Sequence, residues 1–153
     1  MKTLLVYYSW TGNTRKLAQK ITSKLKCDVE EIYEKGKRKG KLNYVIGGFE
    51  AMFGMKSRIE KPKRNPSEYD MVLLGGPVWA GRITPALRSY LSEVEIKRYG
   101  LFLSMGGKDC SEAVKAVQKI TGKKPVSVLA VRQSEMAGVD IKPFLAQLKA
   151  KSP

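Results

Sequence analysis

The stretch from Leu4 to Thr14 constrains the fold more than any other. Leu4, Leu5, Val6, Tyr7 and Tyr8 form an unbroken apolar and aromatic run. That is the pattern of a short strand covered on both faces, as in a parallel sheet. The run passes at once into Ser9-Trp10-Thr11-Gly12-Asn13-Thr14, and a helical pattern opens at Arg15, Lys16, Leu17 and Ala18. A buried strand thus feeds a hydroxyl-rich turn, and the turn feeds a helix N-terminus. Such a terminus carries unpaired N–H groups and roughly half a positive charge. Ser9, Thr11 and Thr14 add hydroxyls, Asn13 adds an amide, and Gly12 allows close backbone approach. This is more polar capacity than a helix cap requires, and the segment reads as a phosphate cradle built without lysine.

The rest of the chain repeats the alternation. A helix is expected over 13–26, with Leu17, Ala18, Ile21 and Leu25 on one face, followed by an edge-like strand over 27–33 with Cys27, Val29 and Tyr33 together. Residues 34–65 form an irregular, basic segment. Within it, Leu42, Tyr44, Val45, Ile46, Phe49, Met52 and Phe53 suggest a crossover helix interrupted by Gly47 and Gly48, where close packing would explain the glycines. Residues 59–65 read as extended. Further strands are expected over 71–75, 99–104 and 126–131. Helices follow at Thr84-Pro85, at Ser111 (ending at Gly122) and after Asp140. Strands alternating with helices give a single α/β domain over 1–153, a doubly wound, five-stranded parallel sheet with right-handed crossovers. Ligands of such sheets bind at the carboxyl ends of the strands, beside the switch point. The loops after the first, third and fourth strands would converge there.

Composition narrows the chemistry. The chain has no histidine and only Cys27 and Cys110, so Ser-His-Asp and Cys-His catalysis are excluded, and a disulfide framework or Cys/His metal site is not expected. No catalytic residue is assigned. Gly106-Gly107-Lys108 lacks the spacing of a nucleoside-triphosphate loop, and no arginine stands six residues after Cys110 as in a phosphatase loop. Gly75 and Gly76 occupy the place where a phospho-receiver domain needs a carboxylate. The net charge is +15, with 16 Lys and Arg against 6 Asp and Glu in residues 1–65. Such a surface attracts polyanions, acidic proteins or anionic lipid heads. No apolar run reaches the roughly 18 residues of a membrane span, and no signal peptide is evident. A cytoplasmic protein without stable membrane insertion is expected.

The other two convergent loops are Pro77-Val78-Trp79-Ala80-Gly81-Arg82 and Ser104-Met105-Gly106-Gly107-Lys108-Asp109. Trp79 supplies a planar face for stacking, and Gly81 permits a peptide rotation. Gly106 and Gly107 let backbone N–H groups reach a ring edge, with Ser104 and Asp109 as further polar contacts. With the loop Ser9 to Thr14, these motifs resemble the flavodoxins, and the resemblance covers nearly the whole chain. It implies the strand order 2-1-3-4-5 and non-covalently bound flavin mononucleotide (FMN). The phosphate would lie on Ser9, Trp10, Thr11, Gly12, Asn13 and Thr14. The ring would lie against Pro77, Val78, Trp79, Ala80 and Gly81, with Ser104, Met105, Gly106, Gly107 and Asp109 along its pyrimidine edge and one face left open. Two features depart from the family. Flavodoxins often carry a second aromatic after the fourth strand, where this chain has Met105 and two glycines. They are also usually acidic, whereas this chain is basic.

Three function classes stay open at this point. The first is an electron carrier between redox partners, with a partner protein acidic at its docking surface. The second is an FMN-dependent reductase of nicotinamide donors and quinone-like acceptors, working at the open ring face, with Arg82 or Lys108 near a bound anion. The third is a non-redox anion-binding module, for which basic charge alone gives nucleic acid only non-specific, salt-sensitive affinity.

Overall fold

The computed structural model describes residues 1–36, 40–107 and 109–151. Residues 37–39 of the basic run, Lys108 and the side chains of Lys41 and Tyr44 lie outside the described residues. The strands are β1 (Thr3–Tyr7), β2 (Asp28–Glu31), β3 (Met71–Trp79), β4 (Arg82–Ile83), β5 (Tyr99–Met105) and β6 (Val128–Arg132). The helices are α1 (Asn13–Thr22), α2 (Gly40–Met52), α3 (Pro85–Glu93), α4 (Ser111–Thr121) and α5 (Lys142–Ala150). The parallel strands run in the order β2-β1-β3-β5-β6, with β4 paired only to β3. Without the short β4, this is the expected five-stranded order.

β1 sits at the centre because its side chains serve both faces. Leu4 and Val6 point into the layer of α2, α3 and α4, where Ala51, Leu87, Tyr90 and Val117 are buried. Leu5 and Tyr7 point into the layer of α1 and α5, among Leu17, Ile21, Phe144 and Leu148. Each fully buried leucine of this kind contributes about 1.5–3 kcal/mol. α3 starts as expected, with Thr84 Oγ1 accepting the Leu87 N–H at 3.3 Å and Pro85 at the first helical position. α4 stops at Gly122, which takes the left-handed conformation at φ 69°.

Three expectations are corrected. α1 ends at Thr22 rather than near residue 26. β2 is shorter than 27–33, and its inward face is Glu30 followed by Ile32, while Val29 and Tyr33 are exposed. The reason is polar: the Glu30 carboxylate accepts the N–H groups of Lys63 and Arg64 at 2.8 and 3.1 Å, so it ties down the segment before β3. Finally, β3 continues through Pro77, Val78 and Trp79 and turns back into β4, with Trp79 opposite Arg82 and Val78 opposite Ile83. The expected loop is therefore a tight hairpin. Its two central residues, Ala80 and Gly81, have φ of 50° and 76°, the left-handed pair that a two-residue hairpin requires.

α1 is fastened to the sheet edge by an acid-centred network. Arg15 Nε donates to Glu31 at 3.3 Å, and the Tyr7 and Tyr33 hydroxyls donate to the same carboxylate at 2.9 and 3.2 Å. Burial first, then the Glu31 carboxylate, pushes the Tyr7 phenol up to about 12. The folded protein holds this proton where the unfolded chain, near pH 10, releases it. The resulting stability is intact below about pH 10 and is lost as pH rises through about 12. Tyr7→Phe is expected to flatten that alkaline decline in thermal melts. Parallel curves for the two proteins would contradict the assignment.

Candidate functional site

Three loops meet at the carboxyl ends of β1, β3 and β5. The first is the turn into α1. Gly12 stands before the helix with φ 98°, and its carbonyl accepts the Lys16 N–H at 3.0 Å. Ser9 Oγ accepts the Arg15 N–H at 3.2 Å, and Thr11 Oγ1 accepts from the Asn13 amide at 3.4 Å. Both hydroxyls act as acceptors in these contacts, which leaves their O–H groups to donate to an anion. The first-turn N–H groups of Asn13 and Thr14 have no partner within the helix, as at any helix start. Thr14 is placed differently. Its hydroxyl is buried and lies 2.8 Å from Ser104 Oγ, which is also buried. The two hold the first loop against the end of β5, so Ser104 does not reach the surface where a ring edge was expected.

The second loop is the β3–β4 hairpin. Here Trp79 departs most from expectation: it is 3% exposed. Its ring meets Tyr8 edge-on at 6.0 Å and Trp10 edge-on at 5.8 Å. Gly47 of α2 lies against the same ring so closely that a Cβ there would stand 2.6 Å from it. The close packing expected at the glycine pair is thus found at Gly47, while a Cβ on Gly48 would meet nothing. Trp79 is built into the core in this structure, and the half-buried aromatic at the mouth is Trp10. Pro77 and Val78 are also half-buried, and Ala80 is exposed.

In the third loop, Met105 is buried, and Gly106 and Gly107 are exposed. The Asp109 carboxylate accepts both the N–H and the hydroxyl of Ser111, at 2.8 and 3.0 Å. These bonds, the backbone one foremost, hold its pKa below the usual carboxylate range. Asp109 therefore organises the start of α4.

The three loops share one property that bears on ligand fit. A Cβ added at Gly12, Gly81, Gly106 or Gly107 would meet no atom within 4 Å. Backbone is thus bare on all three of these loops, beside a helix N-terminus. By contrast, Gly75, within β3, is closed in by Phe102. The pieces fit an elongated ligand with an anion at one end and a planar group at the other. Sequence reasoning missed the partners Tyr8 and Gly47 of Trp79. The glycine pair in an apolar helix was the available signal. Among the described residues, no cluster of His, Cys, Asp or Glu could hold a metal ion.

No protein-family model matches the sequence, and no curated protein sequence matches it. Solved structures do. A flavoprotein from Lactobacillus acidophilus NCFM, crystallised in complex with FMN, is 25% identical with a TM-score of 0.72, over 89% of this chain and 96% of its own. A candidate flavoprotein from Bacteroides uniformis ATCC 8492 is 18% identical with a TM-score of 0.80, over 97% of both chains. A short-chain flavodoxin associated with a bacterial microcompartment is 14% identical with a TM-score of 0.52, over the full length of both. The chain has the flavodoxin-like fold, as its motifs and strand order led one to expect.

Proposed function

We propose that this protein binds FMN non-covalently at the convergent loops and carries electrons between redox partners. The observation that supports this reading most is the bare backbone at Gly12, Gly81, Gly106 and Gly107, on three loops around one helix N-terminus. The FMN complex of the Lactobacillus flavoprotein, a neighbour of the same fold, agrees with it. Ser9, Thr11, Gly12 and Asn13, with the first-turn amides of α1, would hold the phosphate. Pro77 to Gly81 and Met105 to Gly107 would flank the ring, with Trp10 as the accessible aromatic. FMN bound there would supply reversible electron uptake, and the surrounding groups would tune it. The basic surface favours a partner that is acidic where it docks.

The phosphate assignment is tested by comparing FMN with riboflavin. Ser9→Ala and Thr11→Ala each remove a hydroxyl hydrogen bond to a charged group, worth about 1.5–3 kcal/mol. Each is expected to weaken FMN binding about tenfold or more, by flavin fluorescence quenching, and to leave riboflavin binding nearly unchanged. Equal losses for the two flavins would contradict the assignment.

A reductase of quinone-like acceptors is the second reading, favoured by the lack of side chains at Gly106 and Gly107, which leaves that side of the site open. Stepwise anaerobic titration separates the two. Two resolved one-electron stages support the carrier. Steady nicotinamide oxidation with a quinone acceptor supports the reductase.

A further inference from the structure

α2 is apolar on both faces. Its inner face is Gly47 and Ala51, buried beside Trp79. Its outer face carries Leu42, Val45, Phe49 and Met52, continuing to Phe53, all solvent-exposed, up to 73% at Leu42. Their spacing places them in one stripe along the helix. The rings of Phe49 and Phe53 pack against each other at 4.6 Å. A continuous exposed stripe of large apolar groups marks a surface that something else covers.

The surrounding charge selects what covers it. Beyond Met52 and Phe53 lies a cavity of about 620 Å³ that is also lined by Arg82, Arg88, Lys115 and Lys119. Its carboxylate, Glu112, is already engaged by Arg82 at 3.8 Å and Lys115 at 3.2 Å. The Arg88 Nε atom is buried with no hydrogen-bond partner among the described residues. At the other end of α2, the sequence from Lys35 to Lys41 carries five cations. Cations thus line the cavity at the Met52–Phe53 end of the stripe, and the sequence before its start is basic as well. A second copy of the chain would bring its own +15 against them. An anionic bilayer answers both features at once, with headgroup phosphates for the cations and the acyl boundary for the rings.

We propose that α2 docks this protein in the plane of an anionic phospholipid surface, with Phe49 and Phe53 entering the acyl boundary and the cavity cations meeting lipid phosphates. No described helix is long and apolar enough to cross a membrane, so the attachment is peripheral.

Co-sedimentation of the full chain with vesicles tests this. The protein is expected to bind vesicles of equimolar phosphatidylcholine and phosphatidylglycerol, and to remain in solution with phosphatidylcholine alone. Phe49→Ala and Phe53→Ala are each expected to weaken that binding about tenfold, with unchanged circular dichroism. Arg88→Gln and Lys119→Gln together should weaken it without touching the stripe. Three outcomes would overturn the proposal: no binding to the acidic vesicles, binding that ignores the phenylalanine substitutions, or self-association in sedimentation velocity that those substitutions abolish. The last would identify a second copy as the occupant.

Discussion

Gly75→Ala is expected to lower the melting temperature by about 10 °C, corresponding to roughly 3 kcal/mol in a domain of this size. Gly75 lies within β3, paired with Tyr7 on one side and Phe102 on the other. A Cβ there would stand 2.1 Å from two atoms of the Phe102 ring. That ring is fully buried among the α1 and α5 side chains, so it has nowhere to move. Alanine's modest advantage over glycine in a strand, about 0.5–1 kcal/mol, does not offset such overlap. Combining Gly75→Ala with Phe102→Leu should recover part of the loss, because leucine vacates the space the ring fills. If Gly75→Ala melted like the parent, the packing of β3 on Phe102 would be wrong.

Trp79→Ala is expected to cost about 3–5 kcal/mol, the range for deleting a large buried aromatic. The indole is the common partner of Tyr8, Trp10 and Gly47, so its loss opens a void beneath α2 and beside the site loops together. Chemical denaturation monitored by far-ultraviolet circular dichroism checks the magnitude. Trp79→Phe should lose much less. A loss under about 1 kcal/mol for alanine would mean that the ring swings freely to the surface. In that case its expected role as a stacking face for a flavin would regain ground.

Much of the architecture was legible because it rests on local chemistry. The apolar run of β1, the Thr84-Pro85 start of α3 and the Gly122 stop of α4 each depend on a few adjacent residues, and all stand where the sequence puts them. What was not legible depends on partners far away in the chain. Glu30 faces inward because the backbone of Lys63 and Arg64 reaches it, which alternation within β2 does not reveal. Nothing local to Thr14 or Ser104 shows that the fold brings their hydroxyls 2.8 Å apart. The hairpin at Ala80-Gly81 was hidden because alanine is an uncommon residue for a positive φ. The exposure of the outer stripe of α2 was not legible either, since sequence periodicity does not say which apolar face the sheet will cover.

The central claim is that the three loops hold FMN. It is tested most directly by adding FMN to the purified protein, removing the excess by gel filtration and recording the visible spectrum. The account predicts retained flavin bands with the protein, and their loss to a large extent when Ser9→Ala and Thr11→Ala are combined. A colourless protein after filtration, with no quenching of flavin fluorescence on mixing, would contradict it.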